Sequence, residues 1–125
     1  MTTLPSLFIS HGSPDIAIRD TKAQAFLWRY ALEAPRPDAI VVISAHFEAG
    51  GVAITGDAQP ETIHDFGGFA PELFQIQYRA PGCPSLAERV ACLMHGQGLA
   101  AGVVGNHCID HGTWVPLCLM YPDAD

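Results

Sequence analysis

The sequence predicts an α/β domain of three layers, a mainly parallel central sheet with helices on both faces. Three observations predict it. The strand candidates are apolar, β-branched runs without polar alternation, as expected of strands buried on both faces. Segments with apolar residues at helical spacing lie between them. The first two runs each stop at a histidine, and open α/β sheets place their ligand sites at the carboxyl ends of strands.

The elements follow in order. Leu4–Ser10 is the first strand; it ends at His11, and Gly12-Ser13-Pro14 turns the chain away. Asp20–Glu33 carries Ala23, Phe26, Leu27 and Tyr30 on one helical face, and Pro35 and Pro37 stop it. Ala39–Ala45 is the second strand, ending at His46, and Val52–Thr55 is the third. A helix opens at Pro71, a good first-turn residue, and runs to about Gln77. Another opens near Pro84, presents Leu86, Val90, Leu93 and Met94 on one face, and closes around Gly96–Gly98. Ala101–Val104 is the fourth strand, and a last helix from near Thr113 carries Trp114, Leu117 and Met120. No repeat, linker or low-complexity segment interrupts residues 1–125, which read as a single domain.

Composition narrows the function. With 49% hydrophobic and 15% charged residues the chain is globular. Its net charge of -7 and six scattered basic residues disfavour nucleic acid, which demands clustered Lys and Arg. No apolar run approaches a membrane span, and M-T-T-L-P lacks the basic start of a signal peptide. A cytoplasmic protein without nucleic-acid or membrane partners is expected. The four cysteines form no C-x-x-C pair and read as reduced, mostly buried thiols.

Chemistry concentrates on histidine. His11 and His46 at neighbouring strand ends would aim two imidazoles into one crevice, a donor pair suited to Fe(II) or Zn(II). The alternative is that each bonds a local carbonyl. T-I-H-D-F-G-G-F places His64, Asp65 and Phe66 in a loop, and D-H-G-T-W places Asp110 and His111 at a helix start. Both put His beside Asp, the pairing that fixes an imidazole's tautomer, and the Gly and aromatic surroundings suit a flat aromatic substrate. Capping or turn roles are the alternative there. His107 in H-C-I-D-H lacks the Glu of a zinc helix, and His95 sits near a helix C-terminus, facing solvent.

Taken together, H-G-S-P (His11–Pro14), I-S-A-H (Ile43–His46), T-I-H-D-F-G-G-F, A-P-G-C-P (Ala80–Pro84) and D-H-G-T-W…M-Y-P-D-A-D carry a resemblance. The chain resembles the class III extradiol ring-cleavage dioxygenases with LigB-type catalytic subunits, in the 4,5-DOPA-dioxygenase-like branch. The resemblance implies that His11 and His46 ligate a non-haem Fe(II), with Zn(II) able to take its place. It implies that His111 and Asp110 belong to the catalytic shell and that the substrates are a small aromatic diol and O2. His64, Asp65 and Phe66 are then candidates for the substrate side, with Arg79 as a partner for a substrate carboxylate.

The resemblance further implies that this stretch corresponds to an N-terminal half. The remaining ligand and the acid–base histidine would belong to the other half. Departures from the family pattern occur at Ala70-Pro71, at Arg79 and at Cys108-Ile109. A sheet that stops early leaves an edge uncovered, so a homo-oligomer or intertwined dimer is expected. Two rivals stand beside the dioxygenase. A tetrapyrrole metal chelatase also places His-Gly-Ser after its first strand, but leaves I-S-A-H, D-F-G-G-F and D-H-G-T-W unexplained. A non-catalytic metal-binding or assembly module would keep a half-site without the chemistry.

Overall fold

Thr21 sets the start of the first helix: its hydroxyl accepts the Gln24 main-chain N–H at 3.1 Å, satisfying a donor that helix starts leave free. In the structure, a computed structural model that describes residues 3–124, helix α1 then runs Lys22–Glu33 and buries Leu27. Strand β1 is Val52–Thr55, helix α2 is Pro84–Gly96, strand β2 is Ala101–Val104, and helix α3 is His111–Met120. Short 3-10 turns occupy Pro14–Ala17 and Pro71–Gln75, so the helix expected to reach Gln77 is a single tight turn. The closing Asp125 of the last motif lies outside the described residues.

The protein is α/β. β1 and β2 pair in parallel, Val52 opposite Ala101 through Thr55 opposite Val104, with α2 against both strands as their crossover. Helices α1 and α3 pack on each other rather than on this pair. One helical layer over the sheet is thus present; the second covering layer is not seen among the described residues.

The two strands expected at Leu4–Ser10 and Ala39–Ala45 are not formed. Neither segment joins a ladder among the described residues. Phe8 and Ile43 stand 105% and 94% exposed. An apolar β-branched run is competent to be a strand, but it becomes one when a neighbour takes up its backbone hydrogen bonds. Here no neighbour does.

The core explains how the loops are held. Leu73, Trp114 and Val115 are fully buried, with Ile16 and Tyr78 against them. The Trp114 indole donates to the Ile63 carbonyl at 2.8 Å. Thr62 accepts the Tyr78 N–H at 2.8 Å and donates its hydroxyl to the Tyr78 carbonyl at 3.0 Å. A parallel bridge joins Thr62 to Ile109, with Ile63 N–H on the Ile109 carbonyl at 3.0 Å and Ile109 N–H on that of Glu61 at 2.7 Å. These bonds pin the His64–Asp65 loop beside the start of α3.

That helix starts at His111, two residues before the expected Thr113, which makes the histidine its first residue. Nearer the sheet, the Asp57 carboxylate accepts the Asn106 and His107 N–H groups at 2.8 and 3.0 Å and ties the end of β1 to the end of β2. All four cysteines are unpaired, and Cys83 and Cys92 are exposed, which corrects the expectation of mostly buried thiols. Burial pushes the Cys118 thiol up to about 11. No helix among the described residues is long and apolar enough to cross a membrane.

Candidate metal centre

His11 reaches the site through a turn that needs glycine after it. Gly12 has φ +64, a left-handed conformation that L side chains avoid. A Cβ there would make an ordinary 3.7 Å contact with Ile16 Cδ1, so conformation rather than space selects glycine. His46 arrives from the unpaired Ala39–Ala45 segment, its main-chain N–H donated to Ser44 Oγ at 3.2 Å. The Ser44 hydroxyl in turn donates to Asp110 Oδ1 at 2.7 Å. His111 comes from the first turn of α3 and is 6% exposed.

The three imidazoles converge. Their centroids lie 4.8 Å (His11–His46), 4.0 Å (His46–His111) and 5.1 Å (His11–His111) apart. One ligand atom from each can be chosen so that all lie within 4.8 Å of one another. His11 Nε2 and His46 Nε2 are 2.9 Å apart. Two nitrogens at about 2.0–2.1 Å from one ion, subtending about 90–110°, stand roughly 2.9–3.4 Å apart. The pair fits.

Electrostatics favours the neutral, ligand form of His11. Burial lowers its pKa, and the neighbouring His111 and His46 lower it further. The Gly12 main chain and the Asp110 carboxylate oppose this fall without reversing it.

Asp65 decides the tautomer of His111. Its Oδ1 accepts both the ring Nδ1–H at 2.8 Å and the His111 main-chain N–H at 3.0 Å. Burial alone would raise the Asp65 pKa, but these two bonds outweigh it and hold the carboxyl below its ordinary value. An ionised carboxylate only accepts, so Nδ1 carries the hydrogen and Nε2 keeps its lone pair for an ion.

The His–Asp pairs expected from sequence adjacency are therefore exchanged. Asp65 serves His111 rather than His64, and Asp110 serves Ser44 rather than His111. Neighbouring side chains on extended backbone, as at Asp110 with φ -76 and ψ 167, point apart and meet distant partners instead. His64 Nε2 bonds the Ile76 carbonyl at 2.8 Å, and its ring sits among Phe66, Phe74 and Trp114. Phe66 and His111 stand nearly perpendicular, with ring centroids 5.4 Å apart. Arg79 is exposed and lines a depression with Gln59, Glu61 and Gln77 that contains none of the three imidazoles.

Sequence reasoning missed Ser44, whose small hydroxyl looked like a strand-end filler. It placed His111 in the active-site shell, and the structure brings its ring centroid to 4.0 Å from that of His46 and 5.1 Å from that of His11. Spacing carries no signal for either, because both roles depend on contacts between segments far apart in the chain.

Residues 5–125 match the family described as the catalytic LigB subunit of aromatic ring-opening dioxygenase. The chain belongs to the LigB family. It is 44% identical over 124 residues to a 4,5-DOPA dioxygenase extradiol of Beta vulgaris, covering 96% of this chain and 46% of that protein. It is 41% identical over 124 residues to the 4,5-DOPA dioxygenase extradiol of Escherichia coli (strain K12), covering 99% and 45%. A 4,5-DOPA dioxygenase extradiol-like protein of Schizosaccharomyces pombe is 30% identical over 141 residues, covering 97% and 48%. This LigB-family chain spans about half the length of the curated relatives it matches. His11, His46 and His111 all fall inside the matched LigB region and form a donor set able to hold a metal ion.

Proposed function

We propose that residues 1–125 form a single domain corresponding to the N-terminal half of the catalytic domain of a non-haem Fe(II)-dependent extradiol ring-cleavage dioxygenase acting on a catecholic, DOPA-like substrate. The observation that carries this reading is the three-imidazole cluster with its Asp65-oriented third member, inside a LigB-family chain. His11, His46 and His111 would hold the ion through ring nitrogens, Fe(II) by expectation and Zn(II) as its substitute. Bound there, Fe(II) supplies the redox-active Lewis-acid centre that joins an aromatic diol to O2.

The residues of the chain do the rest. Asp65 keeps the His111 lone pair turned to the cluster. Phe66 and the His64 ring offer an aromatic wall to a flat substrate beside His111. Arg79 stands apart from this arrangement, in the depression with Gln59, Glu61 and Gln77, and its pairing with a substrate carboxylate stays a separate expectation. The same reading takes the protein to be cytoplasmic, in keeping with its unpaired cysteines, and to associate as a homo-oligomer or intertwined dimer.

The test loads the full-length protein with Fe(II) under argon, adds DOPA and admits air. A yellow ring-fission product formed mole for mole with oxygen uptake is expected. Metal insertion into a tetrapyrrole without oxygen uptake would instead establish the chelatase rival. Tight metal binding with neither activity would establish the non-catalytic module.

A further inference from the structure

We infer that Ser44 and Asp110 are positioning residues for His46, a hydroxyl–carboxylate link that sets where the second imidazole stands, with Gly112 leaving room for it. The inference rests on the metal-site reading above.

Asp110 is the N-cap residue of α3, yet its side chain makes no capping bond. Its main-chain carbonyl accepts the Thr113 and Trp114 N–H groups at 3.0 Å each, and its carboxylate turns to Ser44. At 6% exposure, that carboxylate needs a donor, because a buried charge without one is costly. The 2.7 Å bond from the Ser44 hydroxyl has the short length of a charge-assisted bond.

A hydroxyl has one hydrogen and two lone pairs. With the hydrogen committed to Asp110, the lone pairs are left for the His46 N–H at 3.2 Å. The polarity of the chain from His46 through Ser44 to Asp110 is therefore determined. The segment before His46 joins no sheet among the described residues, so this link supplies the hold that a ladder would.

Gly112 ties the link to the ring. A Cβ at this position would stand 2.6 Å from Ser44 Oγ, 3.0 Å from Asp110 Oδ1 and 3.0 Å from His46 Cδ2. The hydroxyl, the carboxylate and the imidazole thus all close on one bare Cα, and any side chain would push them apart.

The experiment measures Zn(II) affinity, by competition with a chromophoric chelator, for the full-length protein and its Ser44→Ala, Gly112→Ala and doubly substituted variants. Co(II) visible spectra and melting of the metal-free proteins accompany it. Loss of a partner that orients a ligand lowers metal affinity about 10–100-fold, and that loss is expected in each single variant, with an altered Co(II) spectrum. The double variant should lose no more than about twofold beyond the worse single one, since both changes break the same link.

Ser44→Ala binding zinc within about twofold of the unsubstituted protein, with an unchanged Co(II) spectrum, would overturn the inference, as would losses that multiply in the double variant. A lowered melting temperature with unchanged affinity would show a purely structural role and also overturn it. Should Gly112→Ala fail to fold, Ser44→Ala decides alone. An unsubstituted protein that binds neither ion overturns the metal-site reading itself, and this inference with it.

Discussion

Asp65 and His111, 46 positions apart in sequence, are joined by two hydrogen bonds to a single carboxylate oxygen, one from the imidazole and one from the first main-chain N–H of α3. One side chain therefore caps a helix, complements its positive end and fixes a tautomer. Asp65→Ala should lower Zn(II) affinity about 10–100-fold, while Asp65→Asn, which retains an acceptor oxygen, should lose less. Calorimetry checks the order, and equal binding by all three proteins would show that His111 needs no such partner.

Removing ligands should remove the metal. A His11→Ala, His46→Ala double variant should bind Zn(II) far more weakly than the unsubstituted protein, because a single imidazole remains of the three. Binding only to the folded state adds stability, about 2.7 kcal/mol at a free concentration 100 times Kd. Zinc should therefore raise the melting temperature of the unsubstituted protein, and a chelator should reverse the rise. The double variant should show neither change.

Acid should loosen the joint at Asp57. The His107 and Asn106 N–H groups hold its carboxyl below the ordinary carboxylate range. A folded-state pKa depressed in this way contributes stability that is present above the unfolded value of about 3.9 and is lost as pH falls through the lower folded value. Asp57→Ala should thus lower the urea midpoint at neutral pH and narrow its distance from the unsubstituted protein in strong acid. A difference that grows as pH falls would contradict this sign.

The core should be least tolerant at Trp114. Its ring is fully buried and its indole N–H is bonded to the Ile63 carbonyl. Trp114→Ala should cost about 3–5 kcal/mol in urea unfolding. Part of that loss should appear as faster amide exchange in the His64–Asp65 loop, which the indole anchors from one side. An unchanged loop would mean that the Thr62–Ile109 bridge holds it unaided.

The apolar segments without a sheet should drive association. Phe8 and Ile43 stand almost wholly in solvent, and Ile9, Val41 and Val42 are exposed near them in sequence. Exposed apolar runs with unpaired backbone invite pairing with another chain. Light scattering of the 125-residue chain should give a mass that rises with concentration, and Ile43→Lys should reduce that rise. A mass that stays monomeric throughout would count against the expected dimer.

By itself the sequence determined what is local. Helical spacing ended by prolines marked α1, a proline in the first turn marked α2, and apolar β-branched runs marked β1 and β2, because each signal acts within a few residues. The His11 and His46 positions were legible for the same reason: a histidine that ends an apolar run is visible without knowing its neighbours. Tertiary structure decided which segments pair and which acid serves which base. Leu4–Ser10 and Ala39–Ala45 have strand composition but no ladder, since a strand's backbone bonds belong to its partner as much as to itself. Asp65 and Asp110 each lie next to a histidine in sequence and bond elsewhere in space, because adjacent side chains diverge while a bridge such as Thr62–Ile109 brings distant ones within reach.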